Sequence, residues 1–128
     1  LRLPQFLAHH RALGVRHFLA VDNASTDGTP DLLRGAADVS LWRTDASYKA
    51  ARFGMDWLTW LMLRHGHGHW CLTLDADELL IYPYWQSRPL PALTDWLDRQ
   101  GRASLGAMTL DMYPDGPVSE GAVGPDDD

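Results

Sequence analysis

One cysteine in 128 residues, no clustered basic stretch, no internal repeat and no long apolar run: these absences bound the protein first. Cys71 has no partner for an internal disulfide and sits in an apolar segment. It reads as a small core residue in a reducing compartment, and the protein as cytoplasmic. No apolar run approaches the ~18 residues that span a bilayer, and no basic-then-apolar leader opens the chain. The expectation is no transmembrane segment, with any membrane contact peripheral. A clustered basic face, the electrostatic footprint of duplex nucleic acid, is missing, so no nucleic-acid partner is expected.

What is present is a globular composition, 45% hydrophobic, with room for one domain and a real core. The net charge of −6 is unevenly placed. Residues 111–128 hold six acids and no Lys or Arg, leaving eleven acids against eleven bases in residues 1–110. Residues 1–112 therefore read as the domain, and 113–128 as a loose acidic tail containing Gly and Pro. The chain opens on Leu1-Arg2-Leu3-Pro4, without Met and directly on a helix-start signature, and reads as a segment cut from something longer.

Along the chain, Pro4, Phe6, Leu7, Leu13 and Gly14 mark a first helix. A β-rich run follows at His17 to Val21. Thr29 can cap a second helix with Pro30 at its first position. Val39 to Trp42 reads as a strand, and Tyr48 to His65 as the longest helix, its aromatics core-facing. The apolar run Trp70 to Leu74 predicts a strand ending at Asp75. A helix at Leu93 to Gln100 and a strand at Leu105 to Met112 complete the described order. The alternation predicts an α/β fold, a mostly parallel, Rossmann-like sheet flanked by helices, with Asp22, Asp45 and Asp75 at strand tips facing one crevice.

Two dense clusters carry chemistry. In Asp75-Ala76-Asp77-Glu78 the two aspartates lie two residues apart, so extended backbone points them to one side, where they can share a hard cation through oxygen ligands. Clustered carboxylates repel unless a cation or base neutralises them; the competing reading is a solvated loop. The second cluster, Asp22-Asn23-Ala24-Ser25-Thr26-Asp27-Gly28-Thr29, is either a turn held by side-chain hydrogen bonds or a polar pocket for a base or ribose. A calcium loop is excluded, because Ala24 and Thr26 fall at ligand positions. His65-Gly66-His67-Gly68-His69 reads as a solvated helix-to-strand connection in preference to a metal tract. His9 and His10 lie on the first helix with no partner visible.

Asp-Asn-Ala-Ser-Thr-Asp-Gly-Thr at 22–29 and Leu-Asp-Ala-Asp-Glu-Leu-Leu at 74–80, about fifty residues apart, together resemble the family 2-like glycosyltransferases of the GT-A fold. Leu3 to Val15 resembles their first helix. The resemblance spans residues 3–82 and implies a partial nucleotide-sugar-binding GT-A domain. It further implies a nucleotide-diphosphate sugar donor, a carbohydrate or other hydroxyl acceptor, a divalent manganese or magnesium ion, and transfer with inversion. In that picture Asp77 ligates the metal directly, Asp75 serves metal and ribose, and Glu78 supports them. Asp22, aided by Asn23, binds the base. Arg52, in a segment similar to the family's Ala-Arg-Asn-x-Gly, aims at the donor; Phe53 departs from that pattern, as Asn23 departs from the Asp of many relatives. Tyr82, Tyr84 and Trp85 either contact a sugar acceptor by stacking or cover the sheet edge. The general base that the acceptor needs lies outside the recognisable range.

Relatives begin with a strand that sits between those ending at Asp22 and Asp75. Without it, backbone groups lose their partners, so these residues alone are expected to be poorly stable and inactive. Two rival functions are carried forward. A haloacid-dehalogenase-like phosphatase would use Asp75 as nucleophile and Asp77 as acid or base, although Leu79 stands where Thr or Val is expected. A non-catalytic nucleotide-sugar-binding or scaffold domain would keep the pocket without turnover.

Overall fold

The computed structural model describes residues 2–112; the acidic stretch 113–128 lies outside the described residues. Six elements follow in order: α1 (Leu3–Leu13), β1 (Phe18–Asp22), α2 (Thr29–Gly35), β2 (Val39–Arg43), α3 (Met55–His65) and α4 (Leu90–Arg99). Among the described residues this is a small α/β arrangement of four helices and a two-stranded parallel sheet.

Helix α1 begins with proline in its first turn and stops at Gly14, whose φ of 101° is left-handed and whose N–H donates to Arg11 O at 3.0 Å. A Cβ at Gly14 would stand 3.0 Å from Pro91 Cδ, so a close approach to the start of α4 requires glycine as much as the turn does. The Arg11 guanidinium grips Asp38 with two hydrogen bonds, 2.7 and 2.6 Å, and ties α1 to the turn before β2.

Strands β1 and β2 pair in register from Phe18↔Val39 to Asp22↔Arg43, joined through α2 as a βαβ unit. Period-two alternation sorts the side chains. Phe18, Ala20, Val39 and Leu41 face the cluster of Leu3, Leu7 and Leu33, which α1 and α2 supply. Val21 and Trp42, one residue out of phase, face α3, where Trp42 meets the rings of Trp60 and His65. The sheet is thus covered on both faces.

Three expectations need correction. The long helix does not run from Tyr48: residues 48–54 form turns, with Arg52 (φ 50°), Phe53 (φ 55°) and Gly54 (φ 81°) left-handed in succession, and α3 starts only at Met55. Edge-to-face contacts of the Tyr48 ring with Phe53 (5.9 Å) and a tilted one with Trp57 (6.0 Å) stabilise that reversal. The apolar run 70–74 joins no sheet, and Cys71 and Leu72 are exposed, not core residues. Residues 105–112 form no strand either. Apolar composition makes a strand only where a ladder partner exists, and neither run pairs with the β1–β2 ladder; among the described residues the sheet is two parallel strands wide. Among the described residues no helix is long and apolar enough to cross a membrane.

Candidate functional site

The acids at 75–78 form a tight turn closed from both ends. Glu78 N–H donates to Asp75 O (3.1 Å), and Asp75 N–H donates to a Glu78 carboxylate oxygen (3.0 Å). The other Glu78 oxygen accepts from the Thr109 hydroxyl at 3.3 Å. Glu78 is thereby occupied in shaping the turn. Asp75 and Asp77 are exposed, and among the described residues neither carboxylate accepts a hydrogen bond or an ion pair.

The tip of β1 is differently built. Asp22 is 3% exposed. One of its oxygens accepts from Arg43 Nε at 2.8 Å, the other from the Ser25 amide at 3.1 Å. Asp22 and Arg43 are register partners, so the parallel ladder itself sets them side by side. Burial opposes ionisation of Asp22, but hydrogen bonds from Ser25 and the Arg43 guanidinium outweigh it and hold the carboxyl below its usual range. Asn23 spends both amide hydrogens on Thr44 O (3.1 Å) and Ala46 O (3.0 Å), stitching the two strand tips together. The two residues expected from the sequence to serve a base engage these protein partners in the structure. They build the floor of the β1–β2 tip, leaving the Asn23 carbonyl oxygen facing no described donor. Thr29 does not cap α2: the N-cap is Gly28, without a side-chain cap, and Asp27 just before it accepts the Thr29 N–H at 3.0 Å, which lowers its pKa.

Arg52 points to Asp56 in the first turn of α3, donating to it from Nε at 2.7 Å and from Nη2. The strand-tip acids Asp22, Asp45 and Asp75 do not meet: among the described residues no three His, Cys, Asp or Glu side chains converge as a metal site. No hydrogen bond or ion pair joins the 75–78 turn to the 22–28 loop among those residues. Tyr82 donates its hydroxyl to Arg88 O at 2.6 Å, and burial pushes its phenol up. Tyr84 is exposed with the Arg88 guanidinium 4.9 Å above its ring, and Trp85 packs against His9 at 5.4 Å. Of the three aromatics, Tyr84 alone offers an open face. In the His65–His69 tract, His65 packs on Trp42 and Trp60 while His69 N–H closes a turn on Gly66 O (3.0 Å).

Two concavities among the described residues bear on the site. The larger, about 470 Å³, lies between α1 and α2 and includes none of the site residues expected from the sequence. A cavity of about 190 Å³ opens beside the strand tips, lined by Val21, Trp42, Arg43, Thr44, Trp57, Trp60 and Leu61. Arg43 was missed from the sequence. Only the register that sets it opposite Asp22 could have revealed it.

A divalent cation fits the donor set at the acidic turn. Two carboxylates without partners among the described residues are hard oxygen ligands, and magnesium-like ions take one or two carboxylates and complete their shell with water and substrate phosphates. A closed, all-protein cage is not what these residues form. Comparison with protein-family models, curated proteins and solved structures finds no match.

Proposed function

We propose that this chain carries the donor-binding part of a metal-assisted glycosyltransferase of the GT-A type, taking a nucleotide-diphosphate sugar. The observation that carries the reading is the acidic turn: Glu78 is spent on shaping it, and Asp75 and Asp77 are left with exposed, unengaged carboxylates. Asp77 and Asp75 would hold a manganese or magnesium ion. When bound, that ion supplies Lewis acidity towards the departing diphosphate. The protein's own contribution is positional. The turn holds the backbone that carries both carboxylates, so less ordering of the chain is required on binding. Tyr84, with its exposed ring, is the residue suited to stack on a sugar of the acceptor.

The parallel βαβ unit with helices on both faces supports the reading at the level of architecture. Calorimetry tests the proposal with manganese and a nucleoside diphosphate as probes. The expected result is diphosphate binding that needs manganese and weakens at least tenfold in Asp77→Asn. Binding without manganese, or equal binding by the variant, sinks it; binding without turnover in the presence of donor and acceptor assigns the chain to donor capture alone.

A further inference from the structure

Two neighbouring histidines of α1 reach across to the backbone that follows the acidic turn. His9 Nε2 stands 2.9 Å from Leu80 O, and His10 Nε2 stands 3.4 Å from Leu80 N. A carbonyl only accepts, so His9 Nε2 carries a hydrogen. His10 Nδ1 lies 2.8 Å from Phe6 O, another pure acceptor, so its hydrogen is on Nδ1 and its Nε2 lone pair faces the Leu80 amide. The pair therefore satisfies both polar groups of one peptide residue 70 positions away, two residues beyond Glu78.

Neither ring is free to wander. His10 is 1% exposed and its ring centroid lies 4.4 Å from that of Phe6, while His9 is braced edge-on by His10 at 5.0 Å and by a tilted contact with Trp85 at 5.4 Å. Burial, aided by His9 and opposed by the Phe6 carbonyl, lowers the His10 pKa and keeps the ring neutral, as an acceptor must be. The polypeptide from 70 to 79 has no ladder to hold it. On the N-terminal side of the acids, Trp70 Nε1 donates to Asp98 of α4 (3.1 Å) and the Thr73 hydroxyl to Met62 Sδ of α3 (3.7 Å); on the C-terminal side the grip on Leu80 ties them to α1.

We propose that His9 and His10 are positioning residues for the acidic turn: together they clamp the Leu80 peptide groups and so set where Asp75 and Asp77 present their carboxylates. The structural half stands by itself; the consequence for ligand rests on the glycosyltransferase reading. His10→Phe keeps ring volume and removes the acceptor, and His10→Gln restores an acceptor near the same place. His9→Phe keeps the contact with Trp85, removes only the donor, and serves as the second variant should His10→Phe fail to fold.

Amide hydrogen exchange at Leu80 and ¹⁵N relaxation at Asp75 to Glu78 are measured in the protein and in each variant, followed by manganese affinity. The expected result is exchange at Leu80 roughly fivefold faster in His10→Phe, the effect of losing one ordinary hydrogen bond. Disorder spreads to the 75–78 amides, manganese binds several-fold more weakly, and His10→Gln recovers all three. Unchanged Leu80 exchange in a folded His10→Phe, or unchanged 75–78 relaxation in His9→Phe, overturns the clamp, and so does faster exchange with an unaltered 75–78 turn. If the unsubstituted protein binds no manganese, the transferase reading fails, while exchange and relaxation still decide the clamp.

Discussion

Asp22 and His10 are the two buried polar side chains of the described core, and each is satisfied by partners far along the chain. Their titrations run in different pH windows. The folded His10 has its pKa lowered from the ordinary 6.5, first by burial, so the unfolded chain binds the extra proton and stability falls as pH drops from about 6.5 through the folded value. His9 is the ionisable neighbour that acts on it. Asp22 has a depressed pKa as well, so its contribution is complete above the ordinary 3.8 and disappears as pH falls through its lower folded value; Asp27 and Asp38 add to that limb. Urea unfolding against pH is expected to show both limbs, with His10→Phe flattening the upper one alone. Asp22→Ala should flatten the lower one and cost about 1–3 kcal/mol at neutral pH, since the Ser25 amide and Arg43 lose their acceptor. A pH profile in His10→Phe identical to that of the parent would contradict the assignment.

Among the elements, the beginning of α3 carries the sharpest local demand. Three left-handed residues in a row are costly for L side chains, and Gly54 is the one that meets the cost freely. A Cβ there would lie 3.0 Å from the edge of the Tyr48 ring, with φ already at +81°. Gly54→Ala should therefore destabilise by about 1–2 kcal/mol. Gly35→Ala is the control: it ends α2 with open space around its Cβ position. It should be neutral or stabilising by up to ~1 kcal/mol. Thermal melts of the two variants, moving in opposite directions, check the pair. The sequence pattern could not separate turn from helix at 48–54, because apolar residues of the turn continue the spacing of α3. Helix ends with their own chemistry were legible: Pro4 and Gly14 bracket α1, and Pro30 opens α2, as expected.

For the whole molecule, the balance of buried and exposed apolar groups sets behaviour. The described core of buried hydrophobics is short, and Leu63 (79% exposed), Met108 (95%) and Met112 (84%) lie in solvent. Exposed apolar area of this kind favours association. The 128-residue chain is expected to bind the dye ANS under native conditions and to sediment faster as concentration rises. Leu63→Glu should weaken both effects; a chain that binds no dye and stays monomeric at all concentrations would refute this. The same feature explains where strand expectations failed. At 70–74 and 105–112 the residues are apolar enough for strands, but strand formation is a property of a partner edge, and the sheet here is two strands wide.

Sequence alone determined the order helix, strand, helix, strand, helix, the positions where helices stop, and the identity of the acids at 75–78, since these follow from side chains acting within a few residues of themselves. Tertiary structure decided that Asp22 belongs to Arg43, 21 residues away, and that His9 and His10 hold Leu80, 71 and 70 residues away. Such bonds depend on which peptide group arrives opposite which ring, and only the packed chain brings them together.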